Sequence, residues 1–68
     1  MYEKITVSKT VSNEAGTVEI VKFQKVGTTR TFWAPEFNGK RINSTMFGEM
    51  GQATKLAKKF LNWKVGQI

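Results

Sequence analysis

The side chains of this sequence with chemistry to offer are its bases and its aromatics. Eleven Lys and Arg stand against five acids, all of them Glu, and there is no His and no Cys, which leaves a formal net charge of +6. That set excludes thiol nucleophiles, imidazole bases, zinc sites and disulfide staples. The five Glu are scattered, so no neighbour supports a pair of glycosidase carboxylates. Gly39 belongs to no glycine-rich turn ending in Lys-Ser or Lys-Thr, so no phosphate loop is present. What remains is positive charge interleaved with aromatic rings: Phe23 with Lys25, and Arg30 with Phe32. Such spacing suits phosphate neutralisation beside contact with sugars or bases. The expectation is a non-enzymatic binding protein with no cofactor and no metal.

The charge is unevenly placed. Residues 1–21 hold Lys4 and Lys9 against Glu3, Glu14 and Glu19, a net −1, so residues 22–68 carry +7. A strongly basic small chain implies an anionic partner, although net charge also serves solubility. At 68 residues the chain is short enough to expect one domain, spanning 1–68, with a thin core. No run approaches the roughly 20 apolar residues of a membrane span, and Met1-Tyr2-Glu3-Lys4 does not lead into an apolar signal core. A cytoplasmic, intracellular protein is expected.

The elements that position these side chains follow from periodicity. Residues 2–11 alternate, with Ile5, Val7 and Val11 on one side and Lys4, Thr6, Ser8 and Thr10 on the other, which predicts a half-buried strand. Ser12-Asn13-Glu14-Ala15-Gly16 is a turn cluster, and residues 17–26 predict a second strand rich in Val, Ile and Phe. Gly27-Thr28 suits a two-residue type II′ turn into a third strand, 29–37. Asn38-Gly39 is the strongest local signal, because a type I′ turn needs positive φ at both central residues. A fourth strand over about 40–45 follows. The period then changes from 2 to 3.6: Met50, Ala53, Leu56 with Ala57, Phe60 and Trp63 predict an amphipathic helix. It should begin between Gly48 and Gly51 and be capped by Gly66. The fold class is α+β, an antiparallel meander of three to four strands closed by one C-terminal helix on one face.

Register then assigns side chains to faces. One face collects Val18, Ile20, Val26, Trp33, Pro35, Phe37 and Ile42, apolar enough to receive Met50, Ala53, Leu56, Phe60 and Trp63. The other collects Val21, Phe23, Lys25, Arg30, Phe32, Ala34, Arg41 and Asn43, with Glu36 opposite Arg41 as a cross-strand charge pair. One helix cannot cover both faces, so Val21, Phe23 and Phe32 either bind something or are covered by the first strand or a second subunit. Phe23, Lys25, Arg30, Phe32, Lys40, Arg41 and Asn43 are the candidate nucleic-acid contacts. Lys55, Lys58 and Lys59, on the outer side of the helix, are secondary phosphate candidates or a solvated surface.

Phe32-Trp33-Ala34-Pro35-Glu36-Phe37, then Asn38-Gly39-Lys40-Arg41-Ile42, then Phe47 and Ala53 opening an Ala-containing helix, resemble the plant ethylene-response-factor DNA-binding domain and the arm-binding domains of phage integrases. The resemblance covers roughly residues 17–60. It implies a three-stranded sheet laid in the DNA major groove and backed by one helix, with Glu36, Arg41 and Asn43 towards DNA and Trp33, Phe37 and Ile42 towards the helix. The matching first strand offers Lys22 and Lys25 where that family is arginine-rich. Four strands followed by a helix also look like the single-strand-binding Whirly, Pur and positive-cofactor folds, which bind on a sheet face as dimers. The expected partner is therefore DNA, single- or double-stranded, with a homodimer as one arrangement. The alternative is a protein-interaction module of phage or mobile-element type that docks its aromatics on a protein partner.

Overall fold

The computed structural model describes residues 1–67 and has four antiparallel strands and one helix: β1 (Tyr2–Asn13), β2 (Gly16–Lys25), β3 (Thr31–Phe37), β4 (Lys40–Arg41) and α1 (Met50–Val65). The strands lie in one sheet in the order β1-β2-β3-β4, the expected meander, with α1 on one face. Turn chemistry sets its corners. Asn38 and Gly39 take φ of 54° and 80°, as a type I′ turn requires. Asn13 pairs with Gly16 across a two-residue turn in which Asn13 Oδ1 accepts the Ala15 N–H at 2.8 Å. At Gly16 only hydrogen fits, since φ is 139° and a Cβ would stand 2.9 Å from the Phe37 ring.

The hairpin between β2 and β3 keeps the expected register, with Phe23 opposite Phe32 and Val21 opposite Ala34, but reaches it through a wider loop. Thr28 N–H donates to the Lys25 carbonyl at 3.1 Å, so Gly27, at φ 87°, is the second central residue of a turn that begins at Lys25. That is the position where a type II turn needs positive φ, not the first position of a type II′ turn. β4 is shorter than expected. After the Ile42 N–H reaches the Pro35 carbonyl, residues 43–46 leave the ladder, and Phe47 returns opposite Trp33 with two bonds of 2.8 Å. Asn43 Oδ1 accepts the Thr45 N–H at 3.0 Å and closes this excursion.

β1 departs most from simple alternation. Its register against β2 shifts between Lys4 and Thr6 and again between Val7 and Lys9, so Ile5 and Ser8 are extra residues. Val7 therefore faces the same side as Val21, whereas Val11 faces the same side as Val18. Two side chains that strict alternation assigns to one face are divided between two.

The helix packs through small residues. Ala53, Ala57 and Leu61 are buried with Val18 and Ile20, and Val11, Trp33, Phe37, Phe47 and Phe60 surround them. The buried row is thus spaced by four, because Ala at 53 and 57 lets the helix backbone approach β2 closely. The Thr54 hydroxyl, buried beside this row, donates to the Met50 carbonyl at 2.9 Å. Trp63, Met50 and Val26, all assigned to the core by spacing or register, are exposed instead, and Leu61 takes the buried place. Gly66 ends the helix as expected, though with a right-handed φ of −67°. In urea melts Leu61→Ala, at 1% exposure, should lose about 2–5 kcal/mol, while Trp63→Ala, at 59% exposure, should stay within about 0.5 kcal/mol of the parent. Equal losses would reverse this choice of buried ridge.

Candidate nucleic-acid interface

The helix-free face is built from β2 outward. Val21, Phe23 and Ala34 form a second buried cluster, and Met46 packs against it. Phe23, at 9% exposure, is therefore a core side chain and not an open platform. The excursion of residues 43–46 is the reason, because it carries Met46 across the sheet edge onto this face. β1 covers more of the face: the Tyr2 ring meets Phe32 edge-on at 5.6 Å, and Lys4 Nζ donates to Glu36 Oε1 at 3.0 Å.

Glu36 is the one buried carboxylate among the described residues. Arg41 is its neighbour across the ladder, yet the ion pair is made by Lys4. The cross-strand pair expected between Glu36 and Arg41 is replaced by one reaching from the opposite edge of the sheet. Arg41 consequently has no ion-pair partner among the described residues. It lines an open hollow of about 310 Å³ together with Tyr2, Phe32, Ser44 and Met46. One guanidinium, two aromatic walls and a flexible thioether suit an anionic, flat ligand.

Lys25 and Arg30 extend the same face at its far end. The Lys25 N–H donates to the Arg30 carbonyl at 3.1 Å. The Thr28 hydroxyl donates to the Lys25 carbonyl at 3.0 Å and accepts the Arg30 N–H at 3.2 Å, which holds the two basic residues side by side. Lys25, Arg30, Phe32 and Arg41 are thus brought to one face. Lys40 pairs with Phe37 and so belongs to the helix side of the sheet. Asn43 is exposed in the excursion, where its carboxamide serves the turn.

Lys55, Lys58 and Lys59 are exposed on α1, across the sheet from Arg41. Lys55 and Lys59 flank a second hollow of about 540 Å³ with Phe47, Gln52 and Leu56. Sequence reasoning passed over Tyr2, Ser44 and Met46. Tyr2 was legible in principle, since pairing β1 to β2 places it beside Lys25. Ser44 and Met46 reach the hollow only through the excursion, for which the sequence holds no length rule. Among the described residues no cluster of acids suited to a metal occurs, and no helix is long and apolar enough to cross a membrane. No protein-family model matches this chain, and no curated protein or solved structure matches it significantly.

The Lys4–Glu36 pair supports this face, and its Lys4 side is half exposed, which limits its strength. Lys4→Met should cost about 1 kcal/mol by leaving the carboxylate without its donor, and Lys4→Met/Glu36→Gln should recover most of that loss. A Lys4→Met variant that melts with the parent would mean that Arg41 swings in to replace the ammonium.

Proposed function

We propose that the protein binds nucleic acid on the helix-free face of its sheet, without catalysis and without a cofactor. The observation that carries this reading is the hollow where Arg41, free of ion pairing among the described residues, stands beside the Tyr2 and Phe32 rings. Arg41, Lys25 and Arg30 supply phosphate contacts, and the two rings supply a surface for a sugar or an unstacked base. The net charge of +6 adds long-range attraction. The resemblance to ethylene-response-factor and integrase arm-type domains points to the same face. DNA is the natural first probe, in both single- and double-stranded form.

One observation favours a second reading, a protein-docking module: Trp63 lies exposed on α1, and exposed Trp is enriched where proteins meet. Salt separates the two, because counterion release makes nucleic-acid affinity fall steeply with salt while an aromatic-centred protein contact changes little.

The test is fluorescence anisotropy with labelled single- and double-stranded DNA across a salt series. Arg41→Ala and Arg30→Ala should each reduce the slope of log affinity against log salt by about 1, the signature of one lost phosphate contact. Phe32→Ala should lose about 1–3 kcal/mol of single-strand affinity, and Lys58→Ala, on the other side of the molecule, should change little. An absence of binding to either form at low salt, or equal losses from Lys58→Ala and Arg41→Ala, would reject the helix-free face as the interface.

A further inference from the structure

α1 carries two apolar stripes. Ala53, Ala57 and Leu61 make the buried one, and Leu56, Phe60 and Trp63, at steps of four and three, make a second on the flank beside it. The second stripe leans towards the β4 edge of the sheet. Phe60 meets the Phe37 ring at 5.3 Å and the Trp63 ring at 6.0 Å, while Leu56 shares the hollow of about 540 Å³ with Phe47, which stands opposite Trp33 in line with β4. Leu56 and Phe60 are half-buried and Trp63 is exposed. The sheet therefore supplies this stripe with a floor and no roof.

The same flank is basic in a way that the helix itself does not favour. α1 contains Lys55, Lys58, Lys59 and Lys64 and no acid. Lys55 and Lys59 are four apart, the spacing at which like charges weaken a helix and a Glu in place of one of them would strengthen it. Among the described residues the one ion pair is Lys4–Glu36, so neither lysine is neutralised within the fold. Both line the hollow, and Lys40 faces the same side of the sheet from β4. The nearest acid along the chain, Glu49, precedes the first turn and does not line the hollow. A solvated helix surface explains lysines, but not Leu56 and Trp63 left uncovered among them.

We propose that this groove docks an acidic segment of another protein. One large apolar side chain of the segment sits on Phe47 and Leu56 beside Trp63, and carboxylates on either side of it meet Lys55 and Lys59. Charge complementarity selects such a segment and relieves the repulsion between the two lysines. The apolar seat sets it apart from a phosphate backbone, which has no side chain to place there. The rings also offer little to a stacking base, because Phe37 already meets Phe60 and the Lys64 ammonium, 5.5 Å from its centroid. The groove lies across the sheet from Arg41, so docking here stands or falls apart from DNA binding on the helix-free face.

Amide chemical shifts of the isotope-labelled protein test the groove with a synthetic peptide, Glu-Glu-Leu-Phe-Glu-Glu, added to about 1 mM so that weak docking is visible. Shifts are expected at Phe47, Leu56, Lys59 and the Trp63 indole N–H, with the amides around Tyr2 and Arg41 unmoved. Replacing the peptide's Glu by Gln, or its Leu and Phe by Ser, should each weaken docking about tenfold. Lys55→Glu/Lys59→Glu and Trp63→Ala should each weaken the original peptide by about tenfold as well. The second variant changes an exposed side chain and decides the matter should the first fail to fold. No shift at that concentration, shifts gathered around Arg41, or a thymidine hexanucleotide that moves the same amides at lower concentration than the peptide would each overturn the acidic-segment groove.

Discussion

β2 is buried on both faces, and the rest of the structure answers to that constraint. Val18 and Ile20 are fully buried on one side, and Val21 is fully buried on the other with Phe23 beside it. A strand that alternates between two apolar faces needs cover twice, and the described residues supply one helix. The helix covers the first face through Ala53, Ala57 and Leu61. The second is covered from the sheet's own margins, by Tyr2 and Lys4 on one edge and Met46 on the other. A slip of one residue in β2 would exchange Ile20 for Val21 and ruin both arrangements, so the register of the whole sheet is tied to this strand.

Cover of the second face has an electrostatic consequence. Lys4 reaches over β2 to Glu36 and neutralises the buried carboxylate. Arg41, next to that carboxylate across the ladder, is thereby left to solvent at the rim of the hollow. The positive charge available to a ligand on this face is a result of which base satisfies Glu36, and not of composition alone. The helix lysines make a second positive surface across the sheet. With the molecule extending 42 × 19 × 19 Å, a helix of about 24 Å leaves the Lys25–Arg30 end of the sheet uncovered.

The bulges of β1 connect the two halves of this account. They move Val7 to the face of Val21 while keeping Val11 on the face of Val18, so a single edge strand contributes to both covers. Extra residues in an edge strand also raise its twist and interrupt its outer ladder, which discourages indiscriminate pairing.

Local chemistry made a large part of the fold legible. Asn38-Gly39 demanded its turn, the change of period announced the helix, and the apolar pattern of residues 17–37 set the β2–β3 register even though the Gly27 turn type differed. Lys25, Arg30, Phe32 and Arg41 reached one face for the same reason. These are demands that a residue makes through its own backbone or through neighbours a fixed number of positions away, so they can be read along the chain. Which helical ridge is buried, where β1 is interrupted, how residues 43–46 carry Met46 over the sheet, and which base meets Glu36 were settled only in three dimensions. Each depends on what stands opposite in space. Ala53 and Ala57 outcompete Trp63 because they allow close approach, and Lys4 outcompetes Arg41 because the sheet brings it across from the far edge.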